Sequence, residues 1–342
     1  MTCHCHIIPD AVLERLAKDE KLSDEERKNF ANTAQVAKEF RKLRVQAGEF
    51  TANTMPQSLA PTASPAPAIT VADCHHTQTL PGAPVPNPGS SADATAKRAF
   101  VETTAVAKFY KDIFHRNSVD NAGMTLGSSI HYGVKFNNAF WNGLRMTYGD
   151  GDGNIFVDFT KGNDVIGHEL THGVTQHSLQ LAYTDEAGGL NESMSDVFGS
   201  MFRQWQAGQD VGHADWLIGK DIMGPGAHAR GFTCLRDMAS PGAVHCLAPQ
   251  PFKFSDYHNG MDPHSSSGIP NLAFHNVAQA IGGKSWEKAG QIWYKALTGF
   301  APSPHMKMKP FADRTRHLAA TMYSGNAAVA HAVDAGWVSV GL

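Results

Sequence analysis

The chain has 342 residues, 42% of them hydrophobic, and a formal net charge of −3 at pH 7. That length suffices for a two-lobed unit with a large core, and the balanced charge gives no reason to expect nucleic acid or an anionic membrane as partner. No apolar run approaches the roughly 20 residues that span a bilayer, and the five cysteines are too few and too scattered for a disulfide scaffold.

The N-terminus, "MTCHCHIIPD", has no basic start followed by an apolar core. The expectation is a chain that stays in the cytoplasm or is secreted by a non-classical route. Residues 10–50 are highly charged and read helical, with Leu13, Leu16, Phe30, Ala34, Ala37 and Phe40 at helical spacing and "SDEE" (Ser23–Glu26) matching a capping box. This head reads as a solvated helical hairpin. "MPQSLAPTASPAPA" (Met55–Ala68) is a Pro/Ala/Ser/Thr-rich linker. A helical head over 1–54, an exposed linker over 55–68 and a long body suggest a removable pro-segment, because proteases cut such linkers.

From 69 to 162 the body mixes one helix, Ala94 to Phe114, with strand-like segments such as "SSIHYGV" and "LRMTYGDGDGNIFVDF". Within the second, "DGDGN" (Asp150–Asn154) is a tight turn rather than an EF-hand, since Ile155 stands where that loop needs glycine and Lys161 where it needs glutamate. From 163 to 342 helical patterns follow at about 163–178, 189–207, 268–281, 284–298, 310–324 and 326–335. The fold class is therefore α+β: a β-rich lobe, a mainly α-helical lobe, and a cleft between them where a site is expected.

At the start of the helical half, "DVIGHELTHGV" (Asp164–Val174) sets polar groups in an apolar run. His168 and His172 are i and i+4, so one helix face offers both imidazoles to one point, as two corners of a zinc tetrahedron. Glu169 points beside that ion, as suits a base acting on metal-bound water. In "GGLNESMSDVFGSMF", Glu192 and Asp196 are again i and i+4. Glu192 is the candidate third ligand, and Asp196 the candidate acceptor for a liganding histidine's free N–H. Three ligands and one open position make a catalytic rather than a structural site.

"NNAFWNG" (Asn137–Gly143), "YGDGDG" (Tyr148–Gly153), "GHELTHGVT" (Gly167–Thr175), "GGLNESMSDVFG" (Gly188–Gly199) and "DPHSSSGIPN" (Asp262–Asn271) together resemble the thermolysin family of neutral zinc metalloendopeptidases. The resemblance covers about residues 77–342, and the head with "CHCHIIPDAVLERLA" is similar to the short pro-segment of the protealysin-like branch, although that branch's Pro-Pro is Pro9-Asp10 here. The resemblance implies one catalytic Zn2+ held by His168, His172 and Glu192, with Asn191 and Asp196 orienting the histidines. It implies Glu169 as the catalytic carboxylate and Tyr183 with His264 as the oxyanion pair. Asn138, the Ala139 backbone and Arg236 are implied to hold the substrate main chain, and Phe156, Phe159, Val165, Ile218 and Leu235 to line the pocket after the cut. Phe159 is expected to make that pocket shallower than usual. The implied function is a zymogen of an endopeptidase that cuts peptides and proteins on the N-terminal side of bulky hydrophobic residues, by Glu169-assisted attack of zinc-bound water. Its own pro-segment is implied as intramolecular inhibitor, and a monomer is expected.

Four further features bear on this reading. Asn259 stands where many relatives have an aspartate five residues before the oxyanion histidine, so Asp262, two before His264, is assigned to orient it. At the family's calcium cluster Asp164 and Asp215 remain, while Arg203, Leu217 and Lys220 occupy the other places. Calcium is not expected there, because two cations repel it, and Arg203 and Lys220 are expected to pair with the aspartates instead. "CHCH" (Cys3–His6) could silence a precursor by placing a thiolate on the zinc, or could be a frayed end with incidental thiols. Cys234 and Cys246 could bridge in an exported protein.

Two other function classes compete. A metallo-aminopeptidase shares H-E-x-x-H, but the gap here, Gly173 through Asn191, is 19 residues, one longer than that class uses, and its G-A-M-E-N motif is absent. A catalytically dead binding protein would not need the full set of catalytic residues found here.

Overall fold

The computed structural model describes residues 5–50 and 66–342. Cys3 and most of the expected linker, residues 55–65, lie outside the described residues. The head contributes strand β1 (Cys5–His6) and helices α1 (Asp10–Ala17) and α2 (Asp24–Phe50). The predicted capping box forms at α2: Ser23 N donates to Glu26 Oε2 at 2.7 Å, and Glu26 N donates to Ser23 Oγ at 3.3 Å.

The head is not the solvated hairpin expected from its charge. Leu13, Leu16, Phe30, Ala34 and Ala37 are all buried, and Phe30 meets Phe156 of the body edge-on with ring centroids 6.2 Å apart. Charged residues cover the outer face and also reach the body, as in Lys135–Glu25 at 2.6 Å and Arg230–Asp19. Its apolar stripe therefore completes the body's core, which a lone hairpin of this size could not supply.

The β-rich half holds β2 (Ile69–Asp73), β3 (Ala83–Pro84), β4 (Leu126–Ile130), β5 (Ala139–Trp141) and β6 (Arg145–Tyr148), with α3 (Ala94–Phe114) packed on it. The sheet order is β1-β5-β6-β4-β2-β3, with β2, β4 and β6 parallel and β5 antiparallel to β6. Strand β1 of the head pairs antiparallel with β5, Cys5 opposite Trp141 and His6 opposite Phe140. The head thus caps the sheet edge that borders the cleft.

Beyond it come α4 (Asn163–Gln176), α5 (Asp185–Ala207), β7 (Leu217–Ile218), α6 (Pro225–Ala229), β8 (Arg236–Asp237), α7 (Pro263–Ser266), α8 (Gly268–Ile281), α9 (Lys288–Thr298), α10 (Met308–Met322) and α11 (Ala327–Val338). Among the described residues no helix is long and apolar enough to cross a membrane. Helices α4 and α5 cross closely because glycine faces glycine. A Cβ on Gly167 would stand 3.0 Å from Gly199 Cα, and one on Gly199 would stand 2.6 Å from the Asp164 carbonyl oxygen. Helix α3 braces this crossing, stacking Tyr110 on Phe198 at 5.8 Å and joining its hydroxyl to Thr171 Oγ1 at 2.7 Å.

After β4 the chain turns through His131, whose Nδ1 lies 2.8 Å from Asp150 Oδ1 and whose Nε2 lies 3.0 Å from Asp93 Oδ2. Asp150, against burial and with Asp93 assisting, holds this imidazole up to about 9. A histidine raised in the folded state stabilises fully below its unfolded value near 6.5, and that contribution fades as pH climbs through about 9. Thermal melts from pH 6 to 10 are expected to fall by on the order of 1–2 kcal/mol across this window, after allowing for solvent screening. A His131→Gln chain is expected to show a slope shallower by that amount; an unchanged slope counts against the ion triad.

Candidate active site

The α4–α5 crossing brings the sequence-predicted cluster to one point. His168 Nε2 and His172 Nε2 face each other at 3.1 Å, and Glu192 oxygens stand 3.4 Å from the first and 3.6 Å from the second. All three side chains are buried. The far side of each ring is tied down: His168 Nδ1 to Asp196 Oδ1 at 2.9 Å, and His172 Nδ1 to Asn191 Oδ1 at 2.9 Å and Ser195 Oγ at 3.0 Å. With Nδ1–H donating to those oxygens, each Nε2 carries a lone pair, and two lone pairs at van der Waals range repel unless a cation stands between them.

The electrostatics agree. Burial works against a charged His168, yet Asp196 and Glu192 outweigh it and hold the ring up to about 9. Burial likewise opposes the Glu192 carboxylate, but His264, His172 and His168 keep it well below the usual range. The pocket is built to hold positive charge. Two imidazoles and one carboxylate suit zinc.

Glu169 is fully buried beside this cluster, and no side chain among the described residues hydrogen-bonds its carboxylate. Burial pushes it up to about 8, against the pull of His168 and with Glu192 adding. A carboxylate in that range can both take and return a proton near neutral pH.

On the opposite wall, Tyr183 donates its hydroxyl to Glu192 and lies 3.2 Å from His264 Nε2. Asp262 Oδ1 caps α7 by accepting from His264 N and also meets His264 Nδ1, both at 2.9 Å. Burial opposes a charged His264, and Glu192 and Asp262 outweigh it, so its value is raised.

Arg236 is buried and grips Asp196 with two nitrogens, Nη2 to Oδ1 at 2.7 Å and Nε to Oδ2 at 2.9 Å. Burial opposes a charged Asp196, but Arg236 and His168 outweigh it and bring the carboxylate to about 2. Phe156, Phe159, Val165, Ile218 and Leu235 are all fully buried within one hydrophobic cluster, which also takes in Ile7 and Ile8 of the head.

Comparison with known proteins decides the kinship. Residues 60–176 match the thermolysin metallopeptidase catalytic domain, and residues 179–342 match its alpha-helical domain. The chain is 42% identical over 281 residues to an extracellular metalloprotease of Pectobacterium carotovorum subsp. carotovorum, covering 79% of this chain and 80% of that protein. It belongs to the thermolysin family of zinc metallopeptidases. A bacillolysin of Bacillus cereus is 36% identical over 79% of this chain, which spans only 48% of that longer relative. Among solved structures, the precursor of protealysin, a metalloproteinase from Serratia proteamaculans, superposes with a TM-score of 0.82 at 35% identity, covering 98% of this chain and 99% of that one. The chain is a zinc metalloendopeptidase with the family's two-lobed fold, and His168, His172 and Glu192 are its zinc-binding group.

Two groups of this thermolysin-family site went unread in the sequence. Asn271 Nδ2 donates to Asp196 Oδ2 at 2.9 Å, and Ser195 backs His172. Asn271 lies inside the "DPHSSSGIPN" motif, so its place there was the available signal.

The head enters this cleft as main chain. His264 Nε2 donates to the His6 carbonyl, Ile7 N donates to Ala139 O at 3.1 Å, and Arg236 Nη1 donates to Ile7 O at 3.0 Å. Asn138 holds both polar groups of Ile8, accepting from its N–H at 3.0 Å and donating to its carbonyl at 3.2 Å. Neither reading of "CHCH" holds for Cys5: it is disulfide-bonded and has no thiolate to offer the metal, and it is buried in β1 rather than frayed.

At the family's calcium position, Arg203 reaches Asp164 at 3.6 Å, Asp215 at 3.7 Å and Asp221 at 2.6 Å, while Lys220 reaches Asp215 at 3.1 Å. Asp221 is the partner that sequence reading did not name. "DGDGN" is a turn in which Asp152 Oδ1 accepts from Asn154, Ile155 and Phe156 N at 2.9–3.0 Å.

Proposed function

We propose that this chain is a latent precursor whose head inhibits the endopeptidase it precedes, and that the mature enzyme cuts before bulky hydrophobic residues. The carrying observation is the run of hydrogen bonds from Asn138, Ala139, Arg236 and His264 to His6, Ile7 and Ile8. Each of these groups is also one that a peptide substrate would need, so head and substrate compete for the same donors and acceptors. Phe156, Phe159, Val165, Ile218 and Leu235 are all apolar, fully buried and part of the same hydrophobic core as the two isoleucines, which supports an apolar pocket after the cut.

In this reading the division of labour follows from position. Zinc, when bound, polarises the peptide carbonyl and lowers the pKa of water to about 7. Glu169 takes the proton as water attacks and returns it to the departing amine, a task matched by its raised value. A protonated His264 gives one N–H to Asp262 and the other to the oxyanion, with Tyr183 as second donor. Arg236 and Asn138 fix the backbone beyond the cut, so that the carbonyl meets these donors in register. The aspartates at the calcium position are neutralised by Arg203 and Lys220, and on this reading added calcium leaves stability unchanged.

Quenched peptides that differ only in the residue after the cut test the reading. Leu is expected to exceed Asp or Glu by at least about 100-fold, since a buried charge gains no partner in that pocket, and to exceed Phe because Phe159 shortens it. Equal rates for Leu and Glu overturn the pocket assignment. Removing the head must raise activity on these peptides; equal activity with and without it overturns the latency. An acetylated peptide cut as fast as a free one excludes an aminopeptidase.

A further inference from the structure

The segment around β8 carries a cluster that the active site does not use. Three backbone hydrogen bonds clamp two of its stretches side by side: Thr233 N to His245 O at 3.0 Å, Leu247 N to Cys234 O at 2.9 Å, and Ala248 N to Leu235 O at 2.9 Å. The clamp sets Cys234 Sγ and Cys246 Sγ 3.8 Å apart, both as buried free thiols. A disulfide requires about 2.05 Å. Two thiolates at about 2.3 Å from one tetrahedral ion stand about 3.8 Å apart.

His245 supplies a third donor, and one ligand atom from each of Cys234, His245 and Cys246 lies within 4.8 Å of the others. Its Nε2 stands 3.2 Å from Asp237 Oδ2, while Asp237 Oδ1 is engaged by Ala239 N at 2.8 Å and Ser240 N at 3.1 Å. A carboxylate on one ring nitrogen is the usual support for a histidine that binds metal through the other, which leaves Nδ1 for the ion. The His245 side chain is 37% exposed, so an ion has a way in and a fourth position open to solvent.

We propose that Cys234, His245 and Cys246 form a second, thiolate-rich site for a divalent ion of the zinc type. Soft sulfur selects zinc over calcium or magnesium. Its consequence is mechanical: the loop it closes contains Leu235, of the proposed pocket, and Arg236, which holds Asp196 and the Ile7 carbonyl. Binding therefore stiffens the wall on which the substrate backbone is registered.

Cobalt substitution separates the two sites, because the catalytic donors include no sulfur. The full chain carrying Glu169→Gln, which cannot process itself, is purified without thiol reductant so that the Cys5 disulfide stays closed, stripped, and loaded with Co2+. The expected result is two ions per chain and a near-ultraviolet thiolate-to-cobalt charge-transfer band. Cys234→Ser is expected to lose the band and one ion while keeping the other. Should Cys234→Ser fail to fold, His245→Ala leaves both thiols in place and is expected to weaken the second ion at least tenfold. One ion per chain without the band overturns the proposal, as does a band that survives both substitutions. A Cys234–Cys246 disulfide mapped in the chain isolated without reductant overturns it equally.

Discussion

Replacing Glu169 by glutamine is expected to leave a folded chain that keeps its zinc and loses peptidase activity by roughly 10³-fold or more, the upper part of the range for a positioned acid–base group. The amide has the carboxylate's shape but can neither take the proton nor return it. Stability is not expected to suffer, because a buried carboxylate held up near 8 gains nothing from its charge in this setting. The measurement is kcat/KM on a quenched peptide beside metal content per chain. Activity within tenfold of the parent would falsify the assignment, whereas loss of zinc would mean that Glu169 sits among the ligands rather than beside them. The same variant is expected to remain uncut during purification while the parent sheds its head.

Asp196→Ala is expected to do the reverse, damaging the fold before the chemistry. One buried carboxylate there accepts from His168, from two nitrogens of Arg236 and from Asn271. Removing it strands a fully buried guanidinium, a change that costs about 3–5 kcal/mol. That is a large share of the roughly 5–15 kcal/mol that holds a typical domain together. It also frees the His168 ring, with an expected 10–100-fold loss of zinc affinity. Urea denaturation of the metal-free chains and a chelator competition for zinc read the two effects separately. Asp196→Asn preserves shape without charge and should fall between. If Asp196→Ala unfolds within about 1 kcal/mol of the parent and binds zinc as tightly, Arg236 has another counter-charge and the network is misassigned.

What could be read in the sequence depended on how locally each feature is determined. Helix α3 runs Ala94–Phe114, the span its periodicity predicts; α4 carries its two ligands at i and i+4, and α5 carries Glu192 and Asp196 at the same spacing, as expected. The capping box located the start of α2, because two side chains and their own backbone suffice to make it. Strands β1 and β5 have two and three residues, too few for any alternation, and exist because distant segments pair. The burial of Leu13, Leu16 and Phe30 escaped notice for a related reason: a stripe facing a neighbouring surface looks like one facing its own hairpin. The head's hold on the cleft was invisible because it consists of backbone amides and carbonyls, which every residue carries. Arg236 with Asp196 was read as two separate roles; only folding brings residues 40 apart into one ion pair.

The short β5 edge has a consequence for what this enzyme can digest. Its hydrogen-bonding groups accept a visitor only as one more extended strand, the shape in which His6 lies opposite Phe140. A polypeptide already committed to a helix or to the middle of its own sheet must first give up those internal bonds, at a free-energy cost comparable to local unfolding. On the proposed reading, susceptibility of a protein target is governed by how often a segment frays, with side-chain preference acting second. Well-packed neighbours are then expected to survive alongside the active protease, while loops, tails and damaged chains are expected to be consumed.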